Sequence, residues 1–205
     1  DPLLTFLTTA AIRCGLAARA NESATLWAGF YALGGLAILA KGPVGIIVPA
    51  GTLILLALSL PARRRFFARH VVWGIALMAA MVAAWLAPAI ARGGAEYGRI
   101  ILFRQNMGRA WNSWHHRESY AYFFKVFPAS FLPWLLFLPG ALLSALRRVR
   151  SSPQAPNRDA ARVGIAWFAF TFIFFTLMSG KKTRYLLPLF PAATLLVALD
   201  IESRI

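Results

Sequence analysis

Seven apolar stretches, at 2–18, 26–40, 44–60, 71–91, 123–146, 163–178 and 186–199, leave this chain few ways to fold. A bilayer core asks for about 20 mostly apolar residues per helix, and the second and seventh stretches reach that only if their flanks snorkel. Backbone N–H and C=O groups cannot stay unpaired in hydrocarbon, and no stretch alternates as a barrel strand does, so helices remain. The sequence therefore predicts an all-α, polytopic transmembrane bundle of about seven spans. The break at Lys41-Gly42-Pro43 also permits 26–60 to be a re-entrant pair; two spans is the reading adopted.

Composition agrees. The 205 residues are 59% hydrophobic and 14% charged, whereas a soluble domain has about 45–50% apolar and about 25% charged residues. The net charge of +15 comes from 22 basic and 7 acidic residues. The bases sit between apolar runs, which points to membrane lipid and loop bias and away from nucleic acid. The single Cys14 excludes an internal disulfide and a cysteine metal cluster, and reads as a small buried residue. The chain opens on Asp1 and closes just after an apolar run. Residues 1–205 thus read as one transmembrane domain taken from inside a longer protein.

Basic runs orient it. Arg63, Arg64, Arg65 and Arg69 crowd one turn, Arg147, Arg148, Arg150, Arg158 and Arg162 another (147–162), and Arg13 and Arg19 flank the first connection. Placing these inside follows the positive-inside rule. Strict alternation then sends Asp1, Lys41, the 92–122 segment and 179–185 together to the outer face. That face is itself rich in cations, for which a bound anion is the obvious reason. Residues 151–157 read as an ordinary flexible loop.

The 92–122 segment is the longest polar interruption, and it is unusually aromatic for a linker. Ile100, Phe103, Met107, Ala110, Trp111 and Trp114 recur at helical steps, while Arg99, Asn106, Arg109 and Asn112 fall largely away from them. The spacing predicts an amphipathic helix lying at the headgroup level over the active site. A plain interfacial anchor fits the periodicity equally well. His115 and His116 are adjacent, so on a helix they diverge, and one zinc ion would need ligands from elsewhere. No cofactor is certain; a divalent metal stays a minor alternative beside a hydrogen-bonding role for one histidine.

Lys41 ends one helix and precedes the next, where it could snorkel or present its ammonium to a lipid phosphate. Lys181, Lys182 and Arg184 set three cations within four residues. A phosphate leaving water needs such charge-assisted donors. Asp1 is the one acid at the outer end of the first span, with Glu96 and Glu118 in the long loop.

In order, the chain reads DPLLTF, LAILAKGPVGIIVPA, FRQNMGRAWNSWHHRESYAYFF, PASFLPWLLFLPGAL and FFTLMSGKKTRYLLPLFPAATLLVA. Each motif alone is weak, but the series resembles bacterial GT-C glycosyltransferases of the lipid A aminoarabinose transferase and protein O-mannosyltransferase-like group, over nearly the whole chain. The resemblance implies transfer of a sugar from a polyprenyl-phosphate donor to a lipid or protein acceptor, with inversion, on the periplasmic face of the inner membrane. It implies a principal catalytic Asp in an Asp-Glu motif ahead of position 1, with Asp1 similar to a second functional aspartate. Lys41 falls at the family's Lys-Gly motif, and Lys181 and Tyr185 at its Gly-Lys-x-x-x-Tyr-x-Leu-Pro loop. Arg109 matches an arginine of the long loop.

With that resemblance, Asp1 is assigned to catalysis, and Lys41, Asn106, Arg109, His116, Lys181, Lys182 and Tyr185 to substrate binding. The chain departs from the pattern in places. An acid common beside Asn106 is missing, as is a Pro before the Tyr, and Lys182 and Arg184 add charge. The competing expectation is a transporter or flippase of an anionic polyprenyl lipid or phospholipid, using the same cations without bond breaking. Ionisable residues inside the spans, expected of an ion-coupled pathway, are lacking.

Overall fold

The computed structural model describes residues 1–59, 70–100, 119–151 and 154–204, with the side chains of residues 95 and 97 left aside. Among the described residues the architecture is all-helical. Helix α1 (Pro2–Asn21) starts on Asp1 with proline in its first turn, where a missing N–H costs nothing. Its buried face, Leu4, Leu7, Thr8, Ala11, Ile12, Gly15 and Ala18, follows the three-and-four spacing and packs on α2 (Ala24–Lys41). A small residue makes that packing close: a Cβ on Gly15 would lie 3.2 Å from Phe30 Cδ2 of α2, and 2.4 Å from Leu53 Cδ1 of the next helix. Buried threonines return their hydroxyls to the preceding turn, Thr8 to the Leu4 carbonyl and Thr52 to that of Val48, each at 2.8 Å.

Between α2 and α3 (Val44–Leu58) the chain reverses at Gly42, whose φ of 77° and ψ of −163° suit glycine alone. A Cβ on Gly45 would come within 2.3 Å of the Ala37 carbonyl carbon, so the two helices touch backbone to backbone. Helix α4 (His70–Arg99) packs on α2 and changes direction at Gly94, with φ 81°. Beyond that kink a second helical stretch reaches Arg99, inside the 92–122 segment.

Among the described residues five helices are long and apolar enough to cross a membrane: Pro2–Asn21, Ala24–Lys41, His70–Gly94, Arg158–Leu177 and Thr183–Glu202. The seventh expected span is among them, lengthened by the 3-10 segment Thr183–Leu189 that runs into its last helix, Phe190–Glu202. The third, α3, is apolar but has only 15 residues.

The stretch at 123–146 departs from the expectation of a span. It divides into α5 (Tyr122–Ser130), a 3-10 turn (Trp134–Leu136) and α6 (Leu138–Arg150). Pro133 falls just before the 3-10 turn and Pro139 in the first turn of α6, each removing an N–H that a continuous helix would use, while Pro128 stays inside α5. α6 also turns aside. Near its start, a Cβ on Gly140 would lie 3.4 Å from Arg204 Nη2 and 3.9 Å from Asp200 Oδ2. Near its end, Arg148 Nη2 donates to the Leu199 carbonyl at 3.2 Å. Positions eight residues apart, about 12 Å along a helix, thus meet one end of α8 (Phe190–Glu202). Arg148 thus ties α6 to α8, while Leu138, Ala141 and Ala145 bury its apolar face.

Helix α7 (Arg158–Leu177) joins α5, α6 and α8 in the largest core, where Phe127 packs edge-on to Phe168 and Phe172. Side-chain hydrogen bonds cross the turn before α7. Arg158 Nε and Nη2 both donate to the Val149 carbonyl, at 3.1 and 3.0 Å, closing the end of α6. Asn157 sits in the left-handed region and donates to Glu202 Oε2 at 3.1 Å.

Candidate functional site

The bundle end opposite α6 collects the start of α1, the end of α2 and the loop after α7. Proline at the first position of α1 fixes Asp1 at its N-terminus, where helix dipole and carboxylate attract. Gly42 ends α2 abruptly and leaves Lys41 on its last turn. Asp1 Oδ2 and Lys41 Nζ form an ion pair, with side chains 15% and 25% exposed. Arg184 Nε approaches the same carboxylate oxygen at 3.7 Å. The Lys41 ammonium lies over the Tyr185 ring, 4.8 Å from its centre, a favourable placement against the ring face. Tyr185 in turn stacks on Phe175 at the end of α7.

The loop after α7 has its own internal order. Lys181 is buried; its ammonium donates to the Met178 carbonyl at 2.6 Å and faces the Tyr120 ring at 5.2 Å. A buried ammonium is tolerable only with such partners. Lys182 is half-buried in extended backbone where the 3-10 helix begins. Tyr122 Oη and Thr183 Oγ1 share a hydrogen bond at 3.2 Å. The far end of the 92–122 segment is thus fastened to the cation loop at two points, Tyr120 and Tyr122.

Of the residues singled out in the sequence, Asp1, Lys41 and Tyr185 come into direct contact, and Lys181 and Lys182 lie on the same short loop. Asn106, Arg109 and His116 fall outside the described residues, as do His115 and the expected amphipathic helix. Arg184 joins the cluster without having been assigned to it; its place in the cation run was the signal. Tyr120 left no signal beyond its aromatic neighbourhood. Among the described residues no three His, Cys, Asp or Glu side chains group to hold a metal ion. An apolar groove of about 460 Å³ runs elsewhere, between Phe131 and Trp134 and the Thr194–Val197–Ile201 face of α8.

Clustered cations of this kind are chemically suited to an anion. One carboxylate positions two cations, a third cation is held in the adjoining loop, and apolar helices descend from them into the membrane.

No model of a known protein family matches the chain. It is 25% identical over 205 residues to an undecaprenyl phosphate-alpha-4-amino-4-deoxy-L-arabinose arabinosyl transferase of Proteus mirabilis, covering 97% of this chain and 35% of the relative. Its identity to such a transferase of Sodalis glossinidius is 28% over 211 residues, covering 98% and 36%. The fold matches the crystal structure of ArnT from Cupriavidus metallidurans bound to undecaprenyl phosphate with a TM-score of 0.74, at 23% identity, over 97% of this chain and 36% of that one. The chain therefore spans about a third of the length of these relatives. Along nearly all its residues, and in its helical fold, the chain is ArnT-like, similar to these transferases.

Proposed function

We propose that the protein containing this chain is a multi-pass glycosyltransferase of the bacterial inner membrane. It moves a sugar from a polyprenyl-phosphate donor to a lipid A-like or protein acceptor on the periplasmic face. The observation that carries this reading is the meeting of Asp1, Lys41, Arg184 and Tyr185 at one end of a bundle of membrane-length helices. A polyprenyl phosphate has the matching shape, an anionic head on an apolar tail.

In the reaction, an acceptor hydroxyl attacks the anomeric carbon, the bond from that carbon to the phosphate oxygen breaks, and polyprenyl phosphate leaves with one more negative charge. The hydroxyl proton passes to a carboxylate, which the resemblance assigns to an aspartate ahead of position 1. Lys41 and Arg184, with Lys181 and Lys182 in the adjoining loop, stabilise the charge that develops on the leaving phosphate. Such preorganised charge is the largest catalytic term in comparable sites. Asp1 holds Lys41 and Arg184 in place, and Tyr185 carries the Lys41 ammonium on its face.

The test is product analysis with the full-length protein in proteoliposomes supplied with an undecaprenyl-phosphate-linked sugar. Glycosylated acceptor and free undecaprenyl phosphate are the expected products. Movement of the donor between leaflets with its sugar still attached would replace the transferase reading with that of a flippase.

A further inference from the structure

We infer that Arg13 pairs, inside the membrane, with a carboxylate on a spanning helix that the same protein supplies from outside residues 1–205. Arg13, expected beside the first connection, lies within a span because α1 runs on to Asn21. It stands about 18 Å from the Asp1 end of that helix and about 12 Å from the other end. An ionisable side chain at such a depth is costly, and it is kept where it faces a bundle interior and has a partner.

The neighbours of Arg13 on the surface of α1 mark an open face. Pro2, Phe6, Arg13 and Ala20 are exposed and fall within about 20° of one line along the helix, while Leu4, Ala11, Gly15 and Ala18 on the other side are buried. Among the described residues no hydrogen bond or ion pair engages Arg13, and the acids that do form ion pairs, Asp1, Asp159 and Asp200, stand near helix ends. The charge is therefore met either by a lipid headgroup or by a carboxylate brought to the same depth. Side chains on a helix lean towards its N-terminus. For Arg13 that is the Asp1 end, away from the nearer headgroups, so snorkelling has to run against the lean. A carboxylate at the level of Arg13 needs no such reversal and accepts two hydrogen bonds from the guanidinium fork. This chain spans about a third of the length of its relatives, which leaves the larger part of such a protein to supply the helix. Ala17 and Ala20, beside Arg13 on the same face, let that helix come close.

The experiment uses the full-length protein in nanodiscs. Phe6, which is 66% exposed and lies about two turns from Arg13 on the same line, is replaced by the photocross-linker p-benzoylphenylalanine, with Arg13 left intact. Irradiation should join position 6 to a peptide of the same chain outside residues 1–205, with an Asp or Glu about seven residues from the cross-link, at the level of Arg13. Cross-links to lipid alone, to a second copy or to a helix with no acid at that level overturn the inference. Arg13→Met should then lower the melting temperature. Replacing the acid so located by its amide should recover about half of that loss or more in the double variant, because neither charge is left stranded. An unchanged melting temperature in Arg13→Met, or losses that add in the double variant, overturn the pairing. So does a loss that appears in nanodiscs of anionic phospholipid and vanishes in phosphatidylcholine, which marks a headgroup contact. Should Arg13→Met fail to fold, the cross-link, made with Arg13 in place, decides alone.

Discussion

Asp1 and Lys41, forty positions apart, close an ion pair that ties the start of α1 to the end of α2. The pair stands beside Tyr185 and Arg184, so two helix ends and one loop depend on a single carboxylate. Removing one partner of a largely buried pair strands the other's charge.

Asp1→Asn and Lys41→Met should each destabilise the full-length protein, by about 1–3 kcal/mol given the partial exposure of both side chains. The double variant should recover part of the loss. Thermal unfolding of all four proteins in one detergent measures the coupling; additive losses would mean the pair contributes nothing to stability.

Lys181→Ala should lower transfer from a polyprenyl-linked sugar about 100-fold or more, the effect of losing one preorganised charge donor. Because Lys181 is buried against the Met178 carbonyl and the Tyr120 ring, Lys181→Met is the companion variant, keeping bulk without charge. Size-exclusion profiles establish that both fold. Wild-type turnover in either would remove Lys181 from the phosphate-binding role.

Gly45→Ala should fold poorly or not at all, since its Cβ would lie 2.3 Å from backbone at Ala37. Overpacking of this kind costs about 1–3 kcal/mol where neighbours can shift, and helix backbone shifts least. The cost also reaches the site, because α2 and α3 meet just beyond Lys41. Yield of monodisperse protein and its melting temperature give the readout.

Arg158→Ala should cost about 1–3 kcal/mol through loss of its paired hydrogen bonds to the Val149 carbonyl, without changing donor binding at the far end of the bundle. Hydrogen exchange should rise in α6 and around Asn157 and stay unchanged near Lys41. Equal exchange at both ends would mean that the two ends are not independent.

The cation loop was legible because its signal is chemical: Lys181, Lys182 and Arg184 stand together in the chain and none has an apolar reason to be there. Lys41 was legible for a related reason, a charge set between two apolar runs at a glycine–proline break. The partnership of Asp1 with Arg184 was not, since it joins residues 183 positions apart and depends on where α1 and the loop after α7 are carried by packing. The fate of 123–146 was half legible. Its prolines marked the breaks, but nothing local says that α6 packs against α8. Gly140 fits against the Asp200–Arg204 pair, and such fit is a property of two distant segments at once.

The sequence by itself determined the solvent, the helical class and the placement of charge at segment ends, because hydrocarbon admits no unpaired backbone and few charges, and both constraints act residue by residue. The tertiary structure alone decided which helices have spanning length, which stretch breaks, and which cations share the Asp1 carboxylate. Such outcomes depend on close packing, as at Gly15 and Gly45, where contact between helices sets positions and no single segment carries the information.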